Sequence, residues 1–167
     1  MLNLVRHKTF AVLPAIAVLF LAGAGFSQGM DTRILRKALT KALGEKSNFG
    51  VERLVTLREE LKEDEKRTLI VGVIANNSPT AAGVRHGIYT DVVKIMRVLK
   101  DWGWPDKVEQ VMIGEYLPKS SGPNAEARPV MTCAISSAKI RSLDWNSFDP
   151  REVPNVVDAI KLEDPIR

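Results

Sequence analysis

The chain has 167 residues, 45% of them hydrophobic and 26% charged, with a formal net charge of +4. That length suits one domain, or one domain with a targeting segment, and the apolar fraction excludes a wholly disordered chain. One Cys rules out an intrachain disulfide and a Cys-based structural zinc site, two His leave little for a metal centre, and so small a basic excess does not argue for nucleic acid.

Residues 10 to 26 read FAVLPAIAVLFLAGAGF, without a charge, after Arg6 and Lys8 and before small residues. This is the three-part form of a secretory signal, with cleavage expected after Ser27 or Ala24. The run lies near the short end of a membrane span, which needs ~20 apolar residues, so a retained anchor is the alternative. Arg33, Arg36, Lys37 and Lys41 follow it against Asp31 and Glu45, a charge order that runs against the usual orientation of an anchor. No Cys stands near the run, which excludes an acylated lipoprotein start. The expected location is the periplasm or cell envelope, with membrane contact through residues 10 to 26 and inner-membrane anchoring if the segment is kept. Loss of residues 1 to 27 would remove Arg6 and Lys8 and no acid, lowering the charge from +4 to +2.

Residues 31 to 43 read as a helix: Asp31 can cap it, Ile34, Leu35, Ala38, Leu39 and Ala42 recur at helical spacing, and Gly44 can close it. Its basic outer face is read as solvated. EKSNFG at 45 to 50 is a polar connector. Val51, Leu54, Leu57 and Leu61 predict a second helix over 51 to 65, with Glu59, Glu60, Glu63, Asp64 and Glu65 on an exposed face and no paired-carboxylate site among them. TLIVGVIA at 68 to 75 predicts a strand buried on both faces. NNSPTAAGVRHG at 76 to 87 is loop-like. A helix follows over 88 to 102 with Ile88, Val92, Ile95, Leu99 and Trp102 on its core stripe, ended by Gly103 and Pro105. VEQVMI at 108 to 113 is the next strand, so strand, helix and strand form a βαβ crossover with parallel strands. A polar loop spans 118 to 127, a third strand spans 129 to 136 with Pro129 at its start, and a short helix is expected near 154 to 162.

The fold class expected is an α/β (α+β) sandwich: a βαβ crossover plus a further strand, with helices packed on one sheet, preceded by an N-terminal signal or anchor helix. The domain plan is a signal or anchor at 1–27, a helical lead-in and linker at 28–50, the α/β domain at 51–137 and a tail at 138–167.

No phosphate-cradling glycine pattern is present around Gly72 and Gly83. His86 has Arg85 beside it and Asp91 nearby, but no nucleophile is specified, and a surface loop histidine is the preferred reading. Ser78, Ser120 and Ser121 sit in no nucleophile elbow. Cys133 falls within a strand and reads as a buried structural thiol, and Trp102 and Trp104 as helix-end packing. No catalytic residue, metal site or cofactor is expected, and the chain reads as a non-enzyme.

The segment from 68 to about 136 resembles the peptidoglycan-binding domain of OmpA-type outer-membrane proteins and MotB-type stator proteins. The matching pieces are TLIVGVIA, NNSPTAAG, DVVKIMRVLKDWGW, KVEQVMIGEYLP and ARPV, with Gly114, Glu115 and Pro118 at the Gly-Glu-x-x-Pro turn of that family. The resemblance implies a ligand clamp for a zwitterionic peptide stem, made from one charge of each sign. Its positions fall at Asn76 or Asn77 and at Asp91, where this chain has lost the acid and reversed the base. The nearest cations, Arg85, Lys94 and Arg97, are all displaced, and Arg128 leads the last strand. The candidate ligand-binding residues are therefore Asn76, Asn77, Arg85, Asp91 and Arg128, on a scaffold whose peptidoglycan clamp is altered. The implied partners are an envelope protein complex or peptidoglycan. The run IYTDVVKIMRVLKDWGWPDKVEQVMI is also similar to the periplasmic end of ExbD/TolR proteins, which implies as the alternative a membrane-anchored coupling subunit of an inner-membrane complex.

Overall fold

The structure is a computed structural model and describes residues 30–61, 67–120 and 126–163. The signal or anchor assigned to residues 1 to 27, the charged residues 62 to 66 and Ser121 lie outside the described residues.

The apolar, β-branched run forms strand β2, Arg67–Ile74, buried along almost its whole length. Helix α2, Ala81–Asp101, carries the chain across to strand β3, Gln110–Pro118, which lies parallel to β2 with Leu69 opposite Val111 and Val73 opposite Glu115. Strand β4, Ala127–Ser136, returns antiparallel to β3 and brings Cys133 opposite Ile113. Strand β1, Leu54–Leu61, pairs antiparallel with β2, and β5, Ala159–Leu162, antiparallel with β4. The result is a five-stranded mixed sheet in the order β1-β2-β3-β4-β5, an α+β fold.

Helix α1, Met30–Leu43, and the short helices α3, Ser137–Ser142, and α4, Val153–Val156, all contact α2, so the helical layer forms on one face of the sheet. Leu35, Leu39 and Leu43 of α1 meet Ile88, Val92, Ile95, Met96 and Leu99 of α2 above Leu57, Val71, Ile113 and Ile135 of the sheet. Ile140, Trp145, Val153 and Val157 belong to the same apolar core. The lead-in helix and the stretch after residue 138 are therefore built into this core. The burial of this layer removes the apolar surface of five strands and four helices from water, the dominant favourable term in folding.

Residues 54 to 61 form a strand where the leucine spacing predicts a helix. Leu54 and Leu57 are three apart, which is helical spacing, and both are buried. The pairing with β2 shifts register between Leu54 and Thr56, a bulge that returns both leucines to the same face of a strand. The strand pairing also supplies backbone partners from β2, whose own sequence is strongly β-forming. Glu59 and Glu60 are exposed, as expected.

Helix α2 begins at Ala81, ahead of the expected start at residue 88. Thr80 caps it, its Oγ1 accepting from the Gly83 amide at 3.0 Å, and the loop that follows β2 is correspondingly shorter. Gly83 is a close-approach glycine: a Cβ there would stand 2.1 Å from Ser78 Oγ. The far end agrees with the sequence, since Gly103 takes the left-handed conformation at φ 68° and ends the helix. Trp104 is buried, with Lys107 Nζ 5.2 Å from its ring centroid, whereas Trp102 is 50% exposed.

Three further expectations are corrected. The Gly114-Glu115-x-x-Pro118 motif lies inside β3 and makes no turn, because its backbone is held between β2 and β4. The helix expected over 154 to 162 divides into α4 and β5. Asp158 anchors the break: its amide donates to the Ala134 carbonyl at 2.8 Å, and its carboxylate accepts from the Ser136 amide at 2.5 Å. Finally, α1 begins at Met30, one residue before the Asp31 expected to cap it.

Candidate functional site

Because β2 and β3 are parallel, the chain leaves both at the same end of the sheet. The segment that enters β1 arrives there too, since Leu54 pairs with Val73 near the finish of β2. Loops from three places in the sequence thus meet at one end. Asn48, between α1 and β1, locks onto the loop after β2. Its amide donates to Asn76 Oδ1 at 2.9 Å, its Nδ2 donates to the Asn77 carbonyl at 2.9 Å, and its Oδ1 accepts from the Asn77 amide at 2.9 Å. Asn77 Oδ1 in turn accepts from the Ser78 amide at 3.0 Å. All three asparagines are exposed.

The candidate residues divide here. Asn76 and Asn77 form the centre of the loop end. Arg128 is the second residue of β4, opposite Leu117 and beside the finish of β3, and Arg85 is half-buried in the first turns of α2, which starts at the same end. Asp91 does not join them. It is 4% exposed, on the buried face of α2, and its partner is Arg53. His86 is exposed, but on α2 instead of in a loop.

Arg53, which the sequence reading passed over, organises a second and wholly internal cluster. It is 2% exposed. Its Nη2 forms a short ion pair with Asp91 Oδ2, and Nη1 reaches Asp91 Oδ1 at 3.4 Å. Nη1 also donates to the Leu43 carbonyl at 2.7 Å, and Nε to the Ile74 carbonyl at 3.1 Å. One guanidinium therefore ties the last residue of α1, the last residue of β2 and the middle of α2. Only the planar, multi-donor shape of Arg makes that set of contacts from one side chain. Burial pushes the Asp91 carboxyl up, while Arg53, by charge and hydrogen bond, and Lys94 pull it back part of the way.

Glu115 lies in the same interior. It is 0% exposed, and among the described residues neither carboxyl oxygen has a hydrogen-bond partner. Burial, and then the neighbouring Asp91, hold its carboxyl well above the usual range, with Arg53 opposing. The alternation of β3 explains its direction: Val111, Ile113, Glu115 and Leu117 all turn to the helices. The visible signal in the sequence is an acid at an inward position of an apolar alternation.

Cys133 is 1% exposed and its thiol is pushed up to about 12 by burial, so it carries no thiolate at neutral pH. A hollow of about 510 Å³ opens at the opposite end of the sheet, lined by residues including Arg67, Lys107, Ser137 and Arg141. Two of its polar groups are engaged within the fold: Ser137 Oγ donates to the Val108 carbonyl at 2.5 Å, and Arg141 Nη1 to the Pro105 carbonyl at 2.5 Å. That makes it a seam between elements. Among the described residues, no group of three or more metal-ligating side chains is assembled, and no helix is long and apolar enough to cross a membrane.

No protein family, curated protein or solved structure matches this chain.

Proposed function

We propose that this chain is an exported, non-catalytic module of the cell envelope that binds or assembles through the loop end of its sheet. The observation that carries this reading is the convergence of Asn48, Asn76 and Asn77, with Arg85 and Arg128, at the end where β2 and β3 finish. Ligands of open α/β sheets meet the protein at the carboxyl ends of parallel strands, where loops can vary without disturbing the core. The surface offers exposed amide donors and acceptors with flanking cations, a chemistry suited to a polar, partly anionic ligand such as a peptidoglycan stem or an envelope protein. The groups with the strongest chemical potential, Cys133, Asp91 and Glu115, are sealed in the interior.

Retention of the purified full-length protein on isolated sacculi tests the ligand. Retention that drops at least tenfold in the Asn76→Ala/Asn77→Ala double variant or in Arg85→Ala supports the loop end as the contact surface. Unchanged retention in both overturns it, and wild-type protein that does not bind removes peptidoglycan as the ligand. Fractionation with N-terminal sequencing tests export, and an uncut cytoplasmic product overturns that part of the proposal.

A further inference from the structure

The interior cluster holds one cation and two carboxyls. Arg53 directs its donors to Asp91 and to the carbonyls of Leu43 and Ile74. Among the described residues, nothing donates to the Glu115 carboxyl. The charged or titratable groups around Glu115 are Arg53 from the segment before β1, Asp91 from α2 and Cys133 from β4, while Lys94 acts on Asp91. Its cross-strand neighbours are Val73 and Met131, which bring no charge. An ionised carboxylate sealed from water without donors is strongly disfavoured against its neutral acid. Asp91 sits directly on the guanidinium and takes the ionised role, which leaves the proton to Glu115.

We propose that Glu115 is a proton latch: the folded chain holds it as the neutral acid, and its ionisation releases the corner of the fold that Arg53 pins. An ionised Glu115 would compete with Asp91 for the single guanidinium. That same guanidinium holds the end of α1 and the end of β2, and the Ile74 amide donates back to the Arg53 carbonyl at 2.7 Å. The asparagine loops begin within a few residues of both anchor points, so the loop end loosens as pH rises.

The direction follows from linkage. The unfolded chain releases this proton near the ordinary Glu value of ~4.3. The folded chain keeps it, so the stabilisation is complete below that value and is lost as pH rises toward the folded ionisation. Over that window the folding equilibrium constant falls tenfold per pH unit, about 1.4 kcal/mol.

Urea unfolding of the full chain from pH 5 upward, for wild type and Glu115→Gln, tests the latch. The ratio of wild-type to variant folding constants should fall about tenfold for each unit of pH. Parallel profiles overturn the proposal. Should Glu115→Gln fail to fold, infrared spectroscopy of wild type carrying isotope-labelled Glu decides. A protonated carboxylic carbonyl band that persists at neutral pH and vanishes on unfolding supports the latch, and its absence overturns it.

Discussion

Asn76 and Asp91 were both expected to lie at a ligand clamp, and the fold treats them in opposite ways. Asn76 meets Asn48 in water at the loop end, whereas Asp91 meets Arg53 in an interior closed to solvent. Each contact is a hydrogen-bonded polar pair. In water, the broken partner is replaced by solvent, and little is lost. In the interior, removing one partner leaves a bare charge and unpaired carbonyls, and the full desolvation cost appears. The loop end is therefore free to vary for recognition, while the buried cluster is committed to holding α1, α2 and the sheet together.

The most severe way to test that contrast is Arg53→Leu. It strands Asp91 and leaves the Leu43 and Ile74 carbonyls without their side-chain donor, and should cost about 3–5 kcal/mol in urea unfolding at neutral pH. A loss below about 1 kcal/mol would mean that water reaches the pair and that the two regions do not differ. Asn48→Ala probes the other side. It removes two side-chain bonds to the loop after β2, in water, and should cost about 1 kcal/mol while near-ultraviolet circular dichroism keeps its native form. Loss of the tertiary signal would make the loop end a structural keystone instead.

The smallest effect should come from the surface pair of Asp149 and Arg151. Hydrogen bonds from Arg151 hold the Asp149 carboxyl at about 2. A carboxyl lowered in the folded state stabilises above its ordinary range and loses that contribution as pH falls toward 2. Arg151→Ala should return Asp149 toward the ordinary Asp range in an NMR titration, with no detectable change in stability at neutral pH. A measurable destabilisation would show that exposure alone does not set the scale.

The segments whose pattern contained its own decision were legible. TLIVGVIA is too short and too β-branched to be anything but a buried strand, and the apolar stripe of α2 ends at a glycine in the left-handed conformation. The strand at 54 to 61 was not legible, because its bulge restores leucines three apart to one face and so imitates a helix. The start of α2 was obscured by Asn76 to Pro79, whose loop composition does not reveal that Thr80 caps a helix immediately afterwards. In the candidate site, Asn76, Asn77, Arg85 and Arg128 were named as candidates from position and resemblance. Arg53 was missed because nothing local marks a basic residue before a strand as buried.

The sequence by itself determined the βαβ unit, a third strand after it, the sealed position of Cys133 and the absence of any nucleophile motif. These follow from local periodicity, turn residues and residue type, which act over a few positions. Only the tertiary structure decided that β1 is a strand, that α1 and the tail share the core, and that Arg53, Asp91 and Glu115 form one cluster from three distant segments. Burial is the reason. Whether a polar side chain ends in water or in the interior depends on what the rest of the chain brings over it, and that alone turns an ordinary glutamate into one that keeps its proton.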